Sequence, residues 1–203
     1  MSADPQTRRV QPIELLTSLP GNGPTSRSSY EGWLDLIHRA ERRLILASYS
    51  FGHYGTAEEP EHPVFATLAD AMHRRPNLAV DLILSTETLR GRDERPTAFD
   101  LERRLASKVS DVWTKGVRMP RLLGFDPEWQ RDAAGRPAAI AHAKFAVCDE
   151  ARVLLTSANL TRHAYEDNLE IGVVIEDGAL ARRLAALIDS WLEAGLLRPV
   201  GGP

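Results

Sequence analysis

Apolar positions recur three and four residues apart at Trp33, Leu34, Ile37 and Ala40, then run together from Leu44 to Phe51, which predicts an amphipathic helix leading into a buried strand. Ser28 and Glu31 stand at capping-box spacing ahead of that helix. After a polar loop from Gly52 to Glu61, Pro63 opens a second helix with Val64, Phe65, Leu68 and Met72 inward, and Pro76-Asn77 stops it. Leu78 to Leu84 is the next strand. Leu101, Leu105, Val109 and Val112 mark a third helix whose outer face carries Arg103, Arg104 and Lys108, and Arg121 to Phe125 is a short strand. Beyond a polar loop from Asp126 to Pro137, three strands follow closely: Ala139 to Cys148, Arg152 to Thr156 and Leu169 to Ile175. A helix striped by Leu180, Leu184, Leu187, Ile188, Trp191 and Leu192 closes the pattern, with Gly195 as its C-cap.

Strands alternating with helices, then strands in succession, predict an α/β fold: a single domain with a mixed β-sheet flanked by helices. The Pro/Gly/Ser-rich stretch from Leu19 to Ser29 sets the expected division, residues 1–29 as a leading segment and loop and residues 30–203 as the domain. No internal repeat is visible.

Composition narrows the partners. A formal net charge of −3 gives no global positive field for holding a polyanion, so contact with nucleic acid has to be local. Arg42, Arg43, Arg74, Arg75, Arg90, Arg92 and the basic residues of the third helix are interleaved with acids and read as solvated faces. Cys148 is the one cysteine, which excludes an intrachain disulfide and a cysteine-based zinc site. The N-terminus lacks a secretory pattern and no apolar run approaches the roughly 18 residues of a membrane span, so the expectation is a soluble, cytoplasmic protein.

The candidate chemistry lies between Ala141 and Ile175. In the strand expected over Ala139 to Cys148, alternation puts His142 and Lys144 on one face with Ala146 and Cys148. Two ionisable groups on a small apolar surface are costly unless they are solvated or meet an anion, and a phosphate would supply that partner. Imidazole can attack phosphorus near neutral pH while an ammonium stabilises charge on the non-bridging oxygens. His-x-Lys alone is weak. Its continuation is more specific: Asp149 follows Lys144 after four residues, then a strand, then Thr156-Ser157-Ala158-Asn159.

This pattern resembles the signature of the phospholipase D superfamily: His-x-Lys, four residues, Asp, a short strand, Gly-Ser-x-Asn. Thr156 stands where the family usually has glycine. The resemblance implies a phospholipase D-like fold and a metal-independent phosphodiesterase that needs no cofactor. It implies that His142 attacks phosphorus to form a phosphohistidine, that Lys144 and Asn159 hold the phosphoryl oxygens with Ser157 in support, and that Glu170 hydrogen-bonds the nucleophilic imidazole. Asp149 is either a structural hydrogen-bonding residue, the favoured reading, or a catalytic one. Cys148 reads as core and His163 as surface; Trp33 and Trp191, which could stack on bases, fall on apolar helix stripes and read as core.

The mechanism also needs a second histidine to protonate the leaving oxygen. His38, His53, His62, His73 and His163 lack the His-x-Lys setting, so the resemblance implies a homodimer in which two copies of His142 meet in a composite active site. A short single-motif chain without a lipid anchor resembles the nuclease branch, and within it the phospholipase-D-like component of bacterial DISARM anti-phage systems. Nucleic acid is the implied partner, with further defence-complex subunits and no membrane. A phospholipase, and a nucleic-acid-binding scaffold that turns over little, are the alternatives.

Overall fold

Ser28 accepts a hydrogen bond from Glu31 N at 3.1 Å and the Glu31 carboxylate accepts one from Ser28 N at 2.7 Å, so both halves of the expected capping box form. The helix it opens, α1 (Ser29–Arg39), buries Trp33, Leu36 and Ile37 completely. The computed structural model describes residues 12–18, 27–51, 63–85, 105–107, 109–125 and 141–200.

The expected α/β architecture is what these residues build: one domain with a mixed sheet and helices on both faces. Its strands are β1 (Ile13–Ser18), β2 (Arg43–Ser48), β3 (Ala79–Ser85), β4 (Arg121–Phe125), β5 (Phe145–Cys148), β6 (Arg152–Thr156), β7 (Glu170–Ile175) and β8 (Leu197–Pro199), in spatial order β1-β7-β6-β5-β2-β3-β4-β8. Three central strands, β2, β3 and β4, run parallel and every other pairing is antiparallel. The parallel strands are nearly continuous apolar runs, as burial on both faces demands.

Even and odd positions of β2, β3, β4, β5 and β6 feed two cores. α1 and α2 (Pro63–Arg74) cover one face, where Trp33, Phe65, Leu68 and Met72 pack on Leu44, Leu46, Leu82, Ala146 and Cys148. The closing helix, labelled α4 (Gly178–Glu193), covers the other, where Ala181, Ala185 and Ile188 meet Ile45, Ile83, Phe145 and Val147. Cys148 is buried, and burial pushes its thiol up to about 12, so it behaves as a small core residue.

Several expectations change. The leading segment holds β1, an edge strand in full register with β7 from Ile13↔Ile175 to Ser18↔Glu170. A one-turn helix, α3 (Arg162–Glu166), follows the motif, with the Thr161 hydroxyl accepting from Ala164 N. β8 extends the far edge. The expected strand over Ala139 to Cys148 becomes regular only at Phe145; Ala141 to Lys144 lie ahead of its ladder, and residues 139 and 140 fall outside the described residues. Of the third helix, residues 105–107 and 109–111 are helical, while Leu101, Arg103 and Arg104 and the side chain of Lys108 fall outside the described residues, as do the loops 52–61 and 126–137.

Candidate active site

The motif residues other than Asp149 are delivered to one end of the sheet. The carboxyl end of β2, the start of β5, the end of β6 and the start of β7 share that edge, because β5 runs antiparallel to β2 and β6, and β6 antiparallel to β7. Lys144 O still accepts from Thr156 N at 3.1 Å, but the regular ladder begins one residue later. His142 is exposed and Lys144 half-buried, which avoids the cost of enclosing two ionisable groups in an apolar sheet.

Lys144 Nζ lies 3.0 Å from His142 Nδ1 and 3.2 Å from Nε2, and donates to His142 O at 3.0 Å. Burial holds the Lys144 ammonium below the ordinary lysine value, and the nearby Glu170 carboxylate offsets part of that shift. Among the described residues, no carboxylate forms an ion pair with Lys144.

Glu170 itself is buried. Its carboxylate accepts from the Ser157 hydroxyl and, at 3.2 Å, from Asn168 Nδ2; Ser157 Oγ in turn accepts from Ile171 N at 3.1 Å. Among the described residues no hydrogen bond joins Glu170 to His142; the partners of the Glu170 carboxylate are Ser157 and Asn168. Asn159 is half-buried, with Oδ1 accepting from Ser50 N at 3.3 Å, which fixes it beside the end of β2. The whole constellation thus converges by strand ends, with direct contacts between His142 and Lys144 and between Ser157 and Glu170.

Asp149 lies at the opposite end of β5. It and Glu150 adopt φ of 50° and 55°, the left-handed region that a tight hairpin requires and that Asp tolerates. Its carboxylate accepts from the backbone N–H of Glu41 at 2.7 Å, Arg42 at 2.8 Å and Arg43 at 2.9 Å. Burial pushes its pKa up, but those three donors outweigh it and hold the group below the ordinary carboxylate value. The Asp pins the β5–β6 hairpin to the turn that enters β2, away from the His142 end.

Thr156 is accommodated by its neighbour across the ladder. Its hydroxyl accepts from Ala158 N at 3.1 Å, shaping the turn into Ser157, and its side chain faces Gly172, where an added Cβ would come 2.9 Å from Thr156 Cβ.

Two aromatic residues join the site without a signal in the sequence. The Tyr49 ring lies 4.9 Å from the His142 ring, and Lys144 Nζ is 5.7 Å from the Tyr49 centroid. Trp191, expected in the core, is half-buried and shares with His142, Phe125 and Phe145 the wall of an apolar cavity. His163 is exposed and pairs with Asp167 at 2.6 Å. Among the described residues no group of three His, Cys, Asp or Glu converges as a metal site, and no helix is long and apolar enough to cross a membrane.

Residues 33–192 match the family model described as "Cardiolipin synthase, PLD-like domain". No curated protein matches the sequence. Solved structures are similar in fold: NucT from Helicobacter pylori, 16% identical, with a TM-score of 0.64 and 90% of this chain and 96% of that one covered; and Nuc, a phospholipase D family member from Salmonella typhimurium, 18% identical, TM-score 0.59, covering 93% and 97%. A phosphatidylserine synthase from Haemophilus influenzae is also similar, at 16% identity and TM-score 0.56, over 95% of this chain and 41% of that one.

Proposed function

This chain belongs to the phospholipase D-like domain family, and from that premise we propose that it is a metal-independent phosphodiesterase, most specifically a nuclease, acting through a phosphohistidine on His142. The observation that carries the reading is the contact between an exposed imidazole and a half-buried ammonium that has no ion-pair partner among the described residues. A phosphodiester supplies what that pair lacks: an electrophile for the ring nitrogen and negative oxygens for the cation.

In the proposed reaction a ring nitrogen of His142 attacks phosphorus, the P–O bond to the leaving group breaks, and the leaving oxygen takes a proton from a second imidazole. That imidazole then removes a proton from water, whose oxygen attacks phosphorus, breaks the P–N bond and restores His142. Lys144 and Asn159 hold the non-bridging oxygens. Ser157 and Glu170 brace the adjoining turn. The second imidazole comes from His142 of another copy, so the working unit is a homodimer with a composite site. Nucleic acid as substrate, and a cytoplasmic role with partner subunits in anti-phage defence, rest on the sequence resemblance to the nuclease branch and to the DISARM component.

A cleavage panel in EDTA tests this, with single-stranded DNA, RNA and phosphatidylcholine vesicles offered to wild type and His142→Ala. The expected outcome is nucleic-acid cleavage that survives chelation and falls roughly a thousandfold or more in the variant. Loss of activity in EDTA, an active His142→Ala protein, turnover of vesicles alone, or a fully active monomer in light scattering would each overturn the corresponding part of the proposal.

A further inference from the structure

The cavity beside His142 has a volume of about 330 Å³. Phe125 from the end of β4, Phe145 from the start of β5, and Trp191 and Leu196 from the end of α4 and the turn beyond it supply its apolar wall. Among the described residues, His142, Ser48 and the indole N–H of Trp191 are the side-chain polar groups it is lined by. Ser48 is already engaged: its hydroxyl donates to Ser50 O at 2.7 Å and accepts from Leu160 N at 3.1 Å. Among the described residues the pocket therefore presents three aromatic rings, aliphatic surface and the reacting imidazole, with the Trp191 indole N–H as its one further side-chain donor.

We infer that this cavity receives one unpaired nucleobase adjacent to the phosphodiester that His142 attacks, holding it by its faces and leaving its edge unread. The inference rests on the nuclease reading above and names the substrate class of that same site. Position is the first argument: because His142 is part of the wall, an occupant lies within a few bonds of phosphorus bound to its ring. Size is the second. Small-molecule pockets run from roughly 300 to 1,000 Å³, and this one sits at the lower end, suited to a single ring system and its sugar rather than a long hydrocarbon chain. Chemistry is the third, since base stacking on aromatic side chains needs no donor or acceptor and is tolerant of sequence. A base inserted edge-first would lose several hydrogen bonds to water and regain at most those that the Trp191 indole N–H and the His142 ring offer, so the edge faces the mouth. A base inside a duplex is sandwiched between its neighbours and cannot present its face to a concave pocket without leaving the stack.

The substrate is thus single-stranded and cut with little regard to base identity. Oligonucleotides of dA, dT and dC, the matching duplexes, and a strand with a tract of abasic sites are the probes, assayed with the full-length protein in EDTA. Single strands are expected to be cut at least about tenfold faster than duplexes and than the abasic tract, and the homopolymers within about threefold of one another. Leu196→Asp, at a half-exposed position in the wall, is expected to raise KM for the single strand about tenfold with its melting temperature retained.

Equal cleavage of abasic and base-bearing strands overturns the inference and leaves the nuclease reading standing. A tenfold preference for one base overturns the unread edge. Turnover of alkyl p-nitrophenyl phosphates that rises with chain length, with every oligonucleotide left uncut, overturns both the inference and the nuclease reading while keeping the phosphodiesterase.

Discussion

The two ends of the sheet treat charge in opposite ways. Where β2, β3 and β4 begin, Arg43 donates to Asp189 at 2.6 and 3.0 Å and reaches Asp81 at 3.3 Å, and Arg121 donates to Asp81 at 2.7 and 3.0 Å. Asp189 and Asp81 raise the Arg43 guanidinium well above its ordinary value, and Arg43 lowers Asp189. Asp149 adds its three backbone bonds at the same end. Arg43, Arg121, Asp81, Asp189 and Asp149 there all have geometric partners. Where those strands finish, Lys144 faces an imidazole and a carbonyl, and burial lowers its pKa because no adjoining carboxylate compensates fully. One end stabilises the fold; the other holds an uncompensated cation ready for an anion.

Lys144→Met breaks the contrast most sharply. The substitution keeps the hydrocarbon stem and removes the charge, so turnover of a phosphodiester is expected to fall about 100- to 1,000-fold, the equivalent of roughly 3–4 kcal/mol in the barrier. A lysine whose pKa is lowered on folding destabilises the native state at every pH where it is charged, so the same variant is expected to melt no lower than wild type and slightly higher at neutral pH. A melting temperature that drops with the activity would mean that Lys144 is a structural residue.

Asp81→Ala is the reciprocal test. Asp81 is 4% exposed and its loss leaves Arg121 without a partner and Arg43 with one. Breaking a buried pair in this way costs roughly 3–5 kcal/mol, and Arg121 is half exposed and can turn to water, so about 3 kcal/mol is expected in chemical denaturation. Turnover per folded molecule should match wild type. Loss of activity in excess of loss of fold would show that the two ends are coupled.

Sequence reading served these ends unequally. Helix faces were legible because their apolar spacing is set by local geometry: Trp33, Ile37, Phe65 and Leu68 are all buried as their periodicity requires. β1 was not, because Leu16 faces the core while Ile13 and Leu15 are 65% and 57% exposed, so the usual apolar-in, polar-out alternation is missing. β8 is three residues long and ends in proline, below the length at which a pattern exists. At the site, the grouping of His142, Lys144, Ser157, Asn159 and Glu170 could be read because a hairpin and the next strand connect them over fewer than thirty residues. Tyr49 and Trp191 reach the same place from distant elements, and nothing in their own neighbourhoods marks them; Trp191 lies on the apolar stripe of its helix and differs from a core residue only in where that helix ends. The overlong strand through His142 failed for a related reason. Alternation continues past Phe145, but pairing stops where ionisable side chains would have to be buried.

The smallest effect expected from the contrast lies in pH dependence, and it separates Glu170 as an electrostatic neighbour of Lys144 from Glu170 as a mere brace. Burial lowers the Lys144 pKa and Glu170 raises it again in part. Removing the carboxylate charge by Glu170→Gln therefore lowers that pKa further. If turnover needs the ammonium, it is retained below the Lys144 pKa and lost as pH rises through it, so the alkaline limb of the kcat profile is expected to move to lower pH in Glu170→Gln. The amide oxygen can still accept from Ser157, which keeps the turn in place and confines the change to electrostatics. Profiles measured across the alkaline range for wild type, Glu170→Gln and Glu170→Asp give the comparison: Glu170→Asp, which keeps the charge, should restore the limb toward wild type. A uniform drop in kcat with an unmoved limb would assign Glu170 to holding Ser157 alone, and would leave burial as the sole cause of the shifted lysine.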